Sequence, residues 1–191
     1  MKYLIIVDMQ NDFIDGTLGT NEAKKIVPNV VKKIKEAVKE KKIIIATRDT
    51  HYDNYLQTLE GKKLPIKHCI INTDGWQLNK DIEDALNKTT GFRLLMINKN
   101  TFGYTDWSEI IESEYLNNVF EHWEDKDFDN HDEFEICGLC TDICVVSNAL
   151  ILRALYPNAL ITIDQNCCAG VTPETHKAAL ETMKMCQIDI I

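Results

Sequence analysis

The chain has no apolar stretch near the ~20 residues that span a bilayer, and its opening run Met1–Asp8 is interrupted too early for a signal peptide. No internal repeat, low-complexity tract or linker breaks its 191 residues, a length that suits a single domain, 1–191, with a sizeable core. Positive charge is scarce. Lys and Arg number 21 against 30 Asp and Glu, and the net charge of −9 argues against nucleic-acid backbones and anionic membranes as partners. An even cysteine count, the mark of a disulfide framework, is also missing. The seven cysteines, Cys69, Cys137, Cys140, Cys144, Cys167, Cys168 and Cys186, lie mostly in apolar settings. A chain of this size does not need staples, so they read as reduced thiols in the cytoplasm, most of them small core residues.

What is present is a regular alternation. Short apolar runs rich in β-branched residues predict strands at Tyr3–Val7, Lys42–Ala46, Phe92–Asn98, Phe134–Cys137, Ala159–Ile163 and Gln187–Ile191. Helical spacing is found between them at Val27–Glu40, Leu78–Asn87, Asp106–Leu116 and Asp142–Tyr156. Thr172-Pro173-Glu174 starts a last helix, with Thr as N-cap, Pro at the first helical position, and Ala179, Leu180 and Met183 as its apolar face. Strands that read as continuous apolar runs between helices predict an α/β fold: a three-layer, doubly wound, mainly parallel six-stranded sheet with helices on both faces. In such folds the active site lies beyond the carboxyl ends of the strands. The acidic segment Glu121–Glu133, with Trp123 and Phe128, departs from the rhythm and reads as a solvated excursion, or as a lid or subunit contact.

The run Gly138-Leu139-Cys140-Thr141-Asp142-Ile143-Cys144-Val145 lies where a buried strand turns into a helix. A cysteine there meets unpaired backbone N–H groups at the positive end of the helix dipole, which predicts a lowered thiol pKa and a place for an oxyanion. Other strand ends carry chemistry too. The first ends at Asp8, the second at Asp49-Thr50-His51, and the third at Lys99. In a parallel sheet these side chains gather with Cys144 at one edge. Asp8 could take the thiol proton and return it to a leaving amine, and the Lys99 ammonium could stabilise thiolate and intermediate. Asp49 and His51, one residue apart in an extended chain, face the same way and can share a metal, with His68 from a neighbouring loop as a third ligand. Two histidines and a carboxylate leave coordination positions open and admit a divalent zinc, iron or manganese ion, zinc being the first expectation. His122, His131 and His176 show no such grouping, and His176 reads as a packing residue.

With those residues in view, the chain resembles the isochorismatase-like cysteine hydrolases, and within them the nicotinamidases, nearly end to end. Ile5-Ile6-Val7-Asp8-Met9-Gln10-Asn11-Asp12-Phe13 is similar to the opening motif that holds the general base, and Lys99-Asn100-Thr101-Phe102 to the catalytic lysine segment. The Gly138–Val145 run is similar to the nucleophile motif, and Asn166-Cys167-Cys168-Ala169-Gly170 also fits a family pattern. The resemblance implies a non-proline cis peptide between Leu139 and Cys140, an oxyanion hole from the N–H groups of Cys140 and Cys144, and a metal at Asp49, His51 and His68 that holds a pyridine nitrogen. Two positions depart from it. Leu64 and Pro65 stand where nicotinamidases often carry a stacking tryptophan, and Gln57 where some have a further histidine. Phe13, with Leu64, Phe102 and Tyr104, is left to line the substrate.

The expected function is a cysteine amidohydrolase acting on nicotinamide through a Cys144 thioester. The alternative is another small amide or carbamoyl substrate for the same residues; a silent binding protein of the same fold is the other class. Isochorismate itself does not suit a cysteine nucleophile. Family members form homo-oligomers, which the resemblance implies here, with Trp107 and Trp123 as candidate contact residues.

Overall fold

The computed structural model describes residues 1–89, 94–118 and 132–191, with only the backbone given for 114–118. Its centre is a six-stranded sheet in which every pairing is parallel. The strands are β1 (Lys2–Val7), β2 (Ile43–Asp49), β3 (Leu94–Lys99), β4 (Glu133–Leu139), β5 (Leu160–Ala169) and β6 (Asp189–Ile190), in the order β3-β2-β1-β4-β5-β6. β1 is apolar throughout its core-facing length because it is covered on both faces; Tyr3, Leu4, Ile5, Ile6 and Val7 are all buried.

The chain moves outward from β1 to β3, then crosses back to place β4 on the other side of β1. Right-handed crossovers therefore put the helices of the two halves on opposite faces. On one face, α2 (Asn21–Lys39) packs against α4 (Lys80–Leu86); on the other, α6 (Val146–Leu155) packs against α7 (Pro173–Met185). The short helices α1 (Asn11–Ile14) and α3 (Leu59–Lys63) belong to loops after β1 and β2, and α5 (Trp107–Asn118) follows β3. The strand order reverses between β1 and β4, so a crevice opens there beyond their carboxyl ends.

Several boundaries differ from the periodicity reading, each for a local reason. α2 begins at Asn21 rather than near Val27, because the Thr20 hydroxyl caps it by accepting the Ala23 N–H at 3.0 Å. Pro28 then lies inside the helix, where it removes one internal hydrogen bond. β2 runs on through Arg48 and Asp49, so Asp49 pairs in register with Lys99. β5 continues through Asp164, Gln165 and Asn166, a polar run that masks it in sequence. Asp164 is accommodated because Lys33 of α2 reaches it at 2.7 Å and also bonds Glu135 of β4 at 2.7 Å. The C-terminal strand is shorter than expected, only Asp189–Ile190. The start of the Phe92–Asn98 strand and most of the Glu121–Glu133 excursion, with His122, His131, Trp123 and Phe128, lie outside the described residues. No helix among the described residues is long and apolar enough to cross a membrane. All seven cysteines are free.

Candidate active site

β1 ends on Asp8, whose φ of 49° is a left-handed conformation that aspartate tolerates better than most residues. Its N–H donates back to the Thr47 carbonyl on β2 at 3.2 Å, and the Thr47 hydroxyl donates to Oδ1 at 2.6 Å. Across the crevice, Gly138 has a φ of 121°, and a Cβ there would stand 2.1 Å from the Val7 carbonyl oxygen. Only glycine lets β4 approach β1 this closely just before the turn that carries Cys144. The Leu139–Cys140 peptide is cis, as the resemblance implied.

The turn that carries Cys144 is not the start of a regular α-helix. Thr141–Val145 form a single π turn before α6, the kind of insertion that re-aims side chains at functional sites. Lys99 Nζ lies 2.6 Å from Asp8 Oδ2 and 3.6 Å from Cys144 Sγ, and also donates to the Thr101 carbonyl at 3.1 Å. Asp8, Lys99 and Cys144, read separately from three strand ends, thus meet in one buried cluster.

The electrostatics correct one expectation. Burial pushes the Cys144 thiol well above its ordinary value, and the nearby Asp8 carboxylate adds to the effect against the pull of Lys99. The helix-end argument predicted a lowered pKa because sequence shows the dipole and not the burial. Burial also raises the Asp8 carboxyl, against Lys99, while Lys99 is kept protonated because Asp8 and Cys144 outweigh its own desolvation. The resting arrangement is a neutral thiol and a fixed ammonium beside a carboxyl made more basic by burial.

A second cluster sits at the end of β2. Ligand atoms of Asp49, His51 and His68 all lie within 4.8 Å of one another, and all three residues are buried. Asp49 Oδ2 is 2.9 Å from His51 Nε2 and 3.5 Å from His68 Nε2. His68 Nδ1 bonds the Ile66 carbonyl at 2.9 Å, which leaves Nε2 for the cluster. Burial would raise the Asp49 carboxyl, but the two histidines and Lys99 hold it well below the usual range. Despite the short separation from Asp49, His51 Nε2 is buried with no hydrogen bond of proper geometry. An orphaned imidazole nitrogen among oxygen and nitrogen donors is what a metal-ligand set looks like, so these residues fit a divalent cation.

Glu60, on α3, was not anticipated. Its Oε1 stands 3.5 Å from His51 Nε2 and 3.7 Å from His68 Nε2. Nothing in its spacing links it to Asp49 or His51, and only the fold of the 55–63 loop brings it in. Gln10, two residues after Asp8, is fully buried. Its amide donates to the Asp49 and Trp76 carbonyls at 2.8 and 2.9 Å and accepts the Asp49 N–H at 2.7 Å, so the segment after Asp8 fixes the backbone of the Asp49–His51–His68 cluster. Asn148, fully buried, donates to the Cys144 carbonyl at 2.8 Å and accepts from Tyr104 N–H and Trp107 Nε1 at 2.9 and 3.1 Å.

The expected substrate-lining residues are scattered in role. The Phe13 ring lies 5.6 Å from that of His68, beside the candidate metal-ligand cluster. Tyr104 packs edge-on against Trp107, and Phe102 is half exposed. Leu64 is half-buried and its carbonyl accepts the Tyr55 hydroxyl at 3.0 Å. Tyr55, unforeseen, sets its ring 4.6 and 5.0 Å from those of His51 and His68. Trp107 is fully buried, which removes it as a subunit-contact residue. His176 does more than pack, since its Nδ1 is 2.8 Å from the Thr141 hydroxyl.

A parallel sheet with a thiol, a carboxylate and an ammonium at its switch point, next to a His/carboxylate cluster, matches one family throughout. The isochorismatase-domain family model covers residues 2–191, and the chain belongs to that family. It is similar to the nicotinamidase of Saccharomyces cerevisiae, 24% identical over 226 residues that cover 100% of this chain and 99% of the relative. Among solved structures, pyrazinamidase/nicotinamidase of Streptococcus mutans aligns with a TM-score of 0.83 at 24% identity, covering 100% of both chains. The pyrazinamidase of Pyrococcus horikoshii in complex with zinc aligns with a TM-score of 0.75 at 26% identity, covering 100% of this chain and 98% of that one.

Proposed function

We propose that this chain is a nicotinamidase that converts nicotinamide and water to nicotinate and ammonia through a thioester on Cys144. The coarser statement stands on family membership and relatives: the protein is an isochorismatase-family hydrolase acting on amides. The single observation that carries the mechanism is the Asp8–Lys99–Cys144 cluster, with its 2.6 and 3.6 Å separations.

In this reading Asp8 takes the Cys144 proton as sulfur adds to the amide carbon. A neutral buried thiol with its base beside it avoids the cost of a desolvated thiolate at rest. The oxyanion is received by the Cys140 and Cys144 N–H groups, and the Lys99 ammonium offsets the charge on the sulfur side. Asp8 returns the proton to nitrogen, the C–N bond breaks and ammonia leaves. Asp8 then deprotonates a water that attacks the thioester; nicotinate departs and Cys144 recovers its proton.

Asp49, His51 and His68, with Glu60 at the rim, would hold the divalent ion. When bound, it supplies a Lewis-acidic handle for a ring nitrogen or a water. Zinc suits the histidine-rich donor set and is present in the Pyrococcus horikoshii relative. Phe13 and Tyr55 flank the histidines and serve as aromatic walls. Leu64 where a tryptophan often stands favours a second reading, in which another small amide or carbamoyl compound is the substrate. The seven free thiols support a reducing compartment, and a cytoplasmic homo-oligomer without nucleic-acid or membrane partners is the accompanying proposal.

The test is ammonia release from nicotinamide and a panel of small amides by purified protein, with Cys144→Ala as control and metal content recorded. Nicotinamide-dependent release lost in the variant supports the proposal. Release from a different amide alone moves the assignment to the second reading, and release that persists without Cys144 overturns the mechanism.

A further inference from the structure

The turn that carries Cys144 is held from outside as well as by its own backbone bonds. Its N-cap, Cys140, provides no side-chain cap; the π turn closes by bonds from Val145 and Ile143 N–H to the Cys140 carbonyl, each at 3.1 Å, and from Val146 N–H to the Thr141 carbonyl. Thr141 and Asp142, the first residues of the turn, are also tied to α7 and to the segment just before it. The Asp142 carboxylate accepts the Val171 N–H at 3.1 and 3.2 Å. Thr141, which is fully buried, has its hydroxyl 2.8 Å from His176 Nδ1 on the second turn of α7. Gly170 makes that reach possible: a Cβ there would fall 2.9 Å from the His176 Cβ and 3.0 Å from its Cα and N. α7 is anchored by a complete capping box at Thr172, so His176 is presented from a rigid support.

We infer that His176 is a positioning residue for the amide-hydrolysing reaction, acting through the Thr141 hydroxyl to hold the Cys140–Cys144 turn in its reactive geometry. His176 touches neither the thiol nor its proton partners, so it is not a catalytic residue. Its effect is on where Cys144 Sγ and the adjacent N–H groups stand, and misplacement by about 1 Å is enough to cost a large factor in rate. Nothing in the sequence pattern singles out His176 for this, because its partner is 35 residues away. The inference rests on the proposed amidase reading for its kinetic arm only.

The experiment compares His176→Ala, Thr141→Val, their double variant, Thr141→Ser and His176→Asn. Kinetics use the amide that wild type hydrolyses best, and the Cys144 alkylation rate by iodoacetamide at pH 8.5 is followed by peptide mass. His176→Ala and Thr141→Val should each lower kcat on the order of tenfold with KM within about twofold. The double variant should be no worse than either single one, because both remove the same contact. Thr141→Ser keeps the hydroxyl and should match wild type; His176→Asn can place an amide near the Nδ1 position and should recover most of kcat. Alkylation of Cys144 should be faster in the two disrupting variants and normal in the two conservative ones.

Wild-type kcat in His176→Ala, losses that add in the double variant, or a loss confined to KM would overturn the inference. If wild type hydrolyses no amide, the functional reading fails. The alkylation pattern then decides alone: uniform rates across the variants overturn the latch, and the stated pattern sustains it. Should His176→Ala fail to fold, Thr141→Val against Thr141→Ser decides the same question.

Discussion

Two buried charged clusters lie side by side at the ends of neighbouring strands, and they are built on opposite principles. In the Asp8–Lys99–Cys144 group each charged atom has an internal partner: Asp8 is bonded by Lys99 and Thr47, and Lys99 also reaches the Thr101 carbonyl. In the Asp49–His51–His68 group, by contrast, acceptors crowd together and His51 Nε2 has no hydrogen bond. A buried polar atom without a partner is costly, so native structures keep one where a ligand supplies the missing contact. The first cluster is internally satisfied, as the proposed reactive centre requires. The second is a set of donors that a divalent cation, as proposed, would complete. Register couples them without merging them, since Asp49 pairs directly with Lys99 across β2 and β3.

The largest expected effect would separate the two clusters by chemistry. Cys144→Ala should reduce amide hydrolysis by at least about 10³-fold, measured as ammonia release, while metal stoichiometry stays that of wild type. Retained turnover would remove the thiol from the reaction. Asp8→Asn comes next, with a rate loss of about 10²–10⁴-fold from the missing base. It also strands the Lys99 ammonium, so stability in denaturant should fall by about 3–5 kcal/mol. Equal stability to wild type would mean that the pair is not held as described. On the other cluster, His68→Ala should weaken metal binding by at least about 10-fold in a chelator competition while leaving the Cys144 alkylation rate unchanged. A parallel change in alkylation would show that the clusters form one unit.

A pH experiment sharpens the contrast further. Because burial and Asp8 raise the Cys144 thiol above its ordinary value near 9, the thiolate fraction at neutral pH is smaller than that of a free thiol. Alkylation of Cys144 should therefore keep climbing, up to about tenfold per pH unit, through pH 9. A plateau at neutral pH would restore the lowered pKa that the helix-end position predicted.

That reversal marks the boundary of what was legible in the chain. Asp8, Asp49, Lys99 and Cys144 could be read because each follows an apolar run, and a parallel sheet sends such ends to one edge. The doubly wound topology followed from the same alternation. Burial-driven electrostatics could not be read, because depth is a property of the packed layers and not of the turn. The second half of β5 was hidden by Asp164, Gln165 and Asn166, whose polarity is matched by Lys33 on a different element. Glu60 escaped because it meets His51 and His68 only when the loops after β2 fold together, and Tyr55 and Asn148, although each lies four residues from a site residue, also take partners from other segments that no periodicity encodes. Gln10 is the instructive case. It sat in plain view in the opening motif, yet its hydrogen bonds to Asp49 appear only when β1 and β2 are side by side.

The smallest expected effect tests how far the second cluster extends. Glu60 differs from Asp49 in depth: its side chain is 25% exposed against 8%, and its Oε1 is 3.5 and 3.7 Å from the two histidine nitrogens. A carboxylate at the rim is partly hydrated, so it needs less compensation and contributes less field than a buried one. Glu60→Gln keeps the shape and a carbonyl oxygen while removing the charge. Metal affinity should fall by less than about tenfold, and Asp49→Asn, which removes the buried charge, should cost more. A loss as large as for Asp49 would make Glu60 a full ligand and the cluster a four-residue set. No loss at all would make it a rim acid that merely neutralises a protonated His68, whose charged form burial opposes and Asp49 and Glu60 favour.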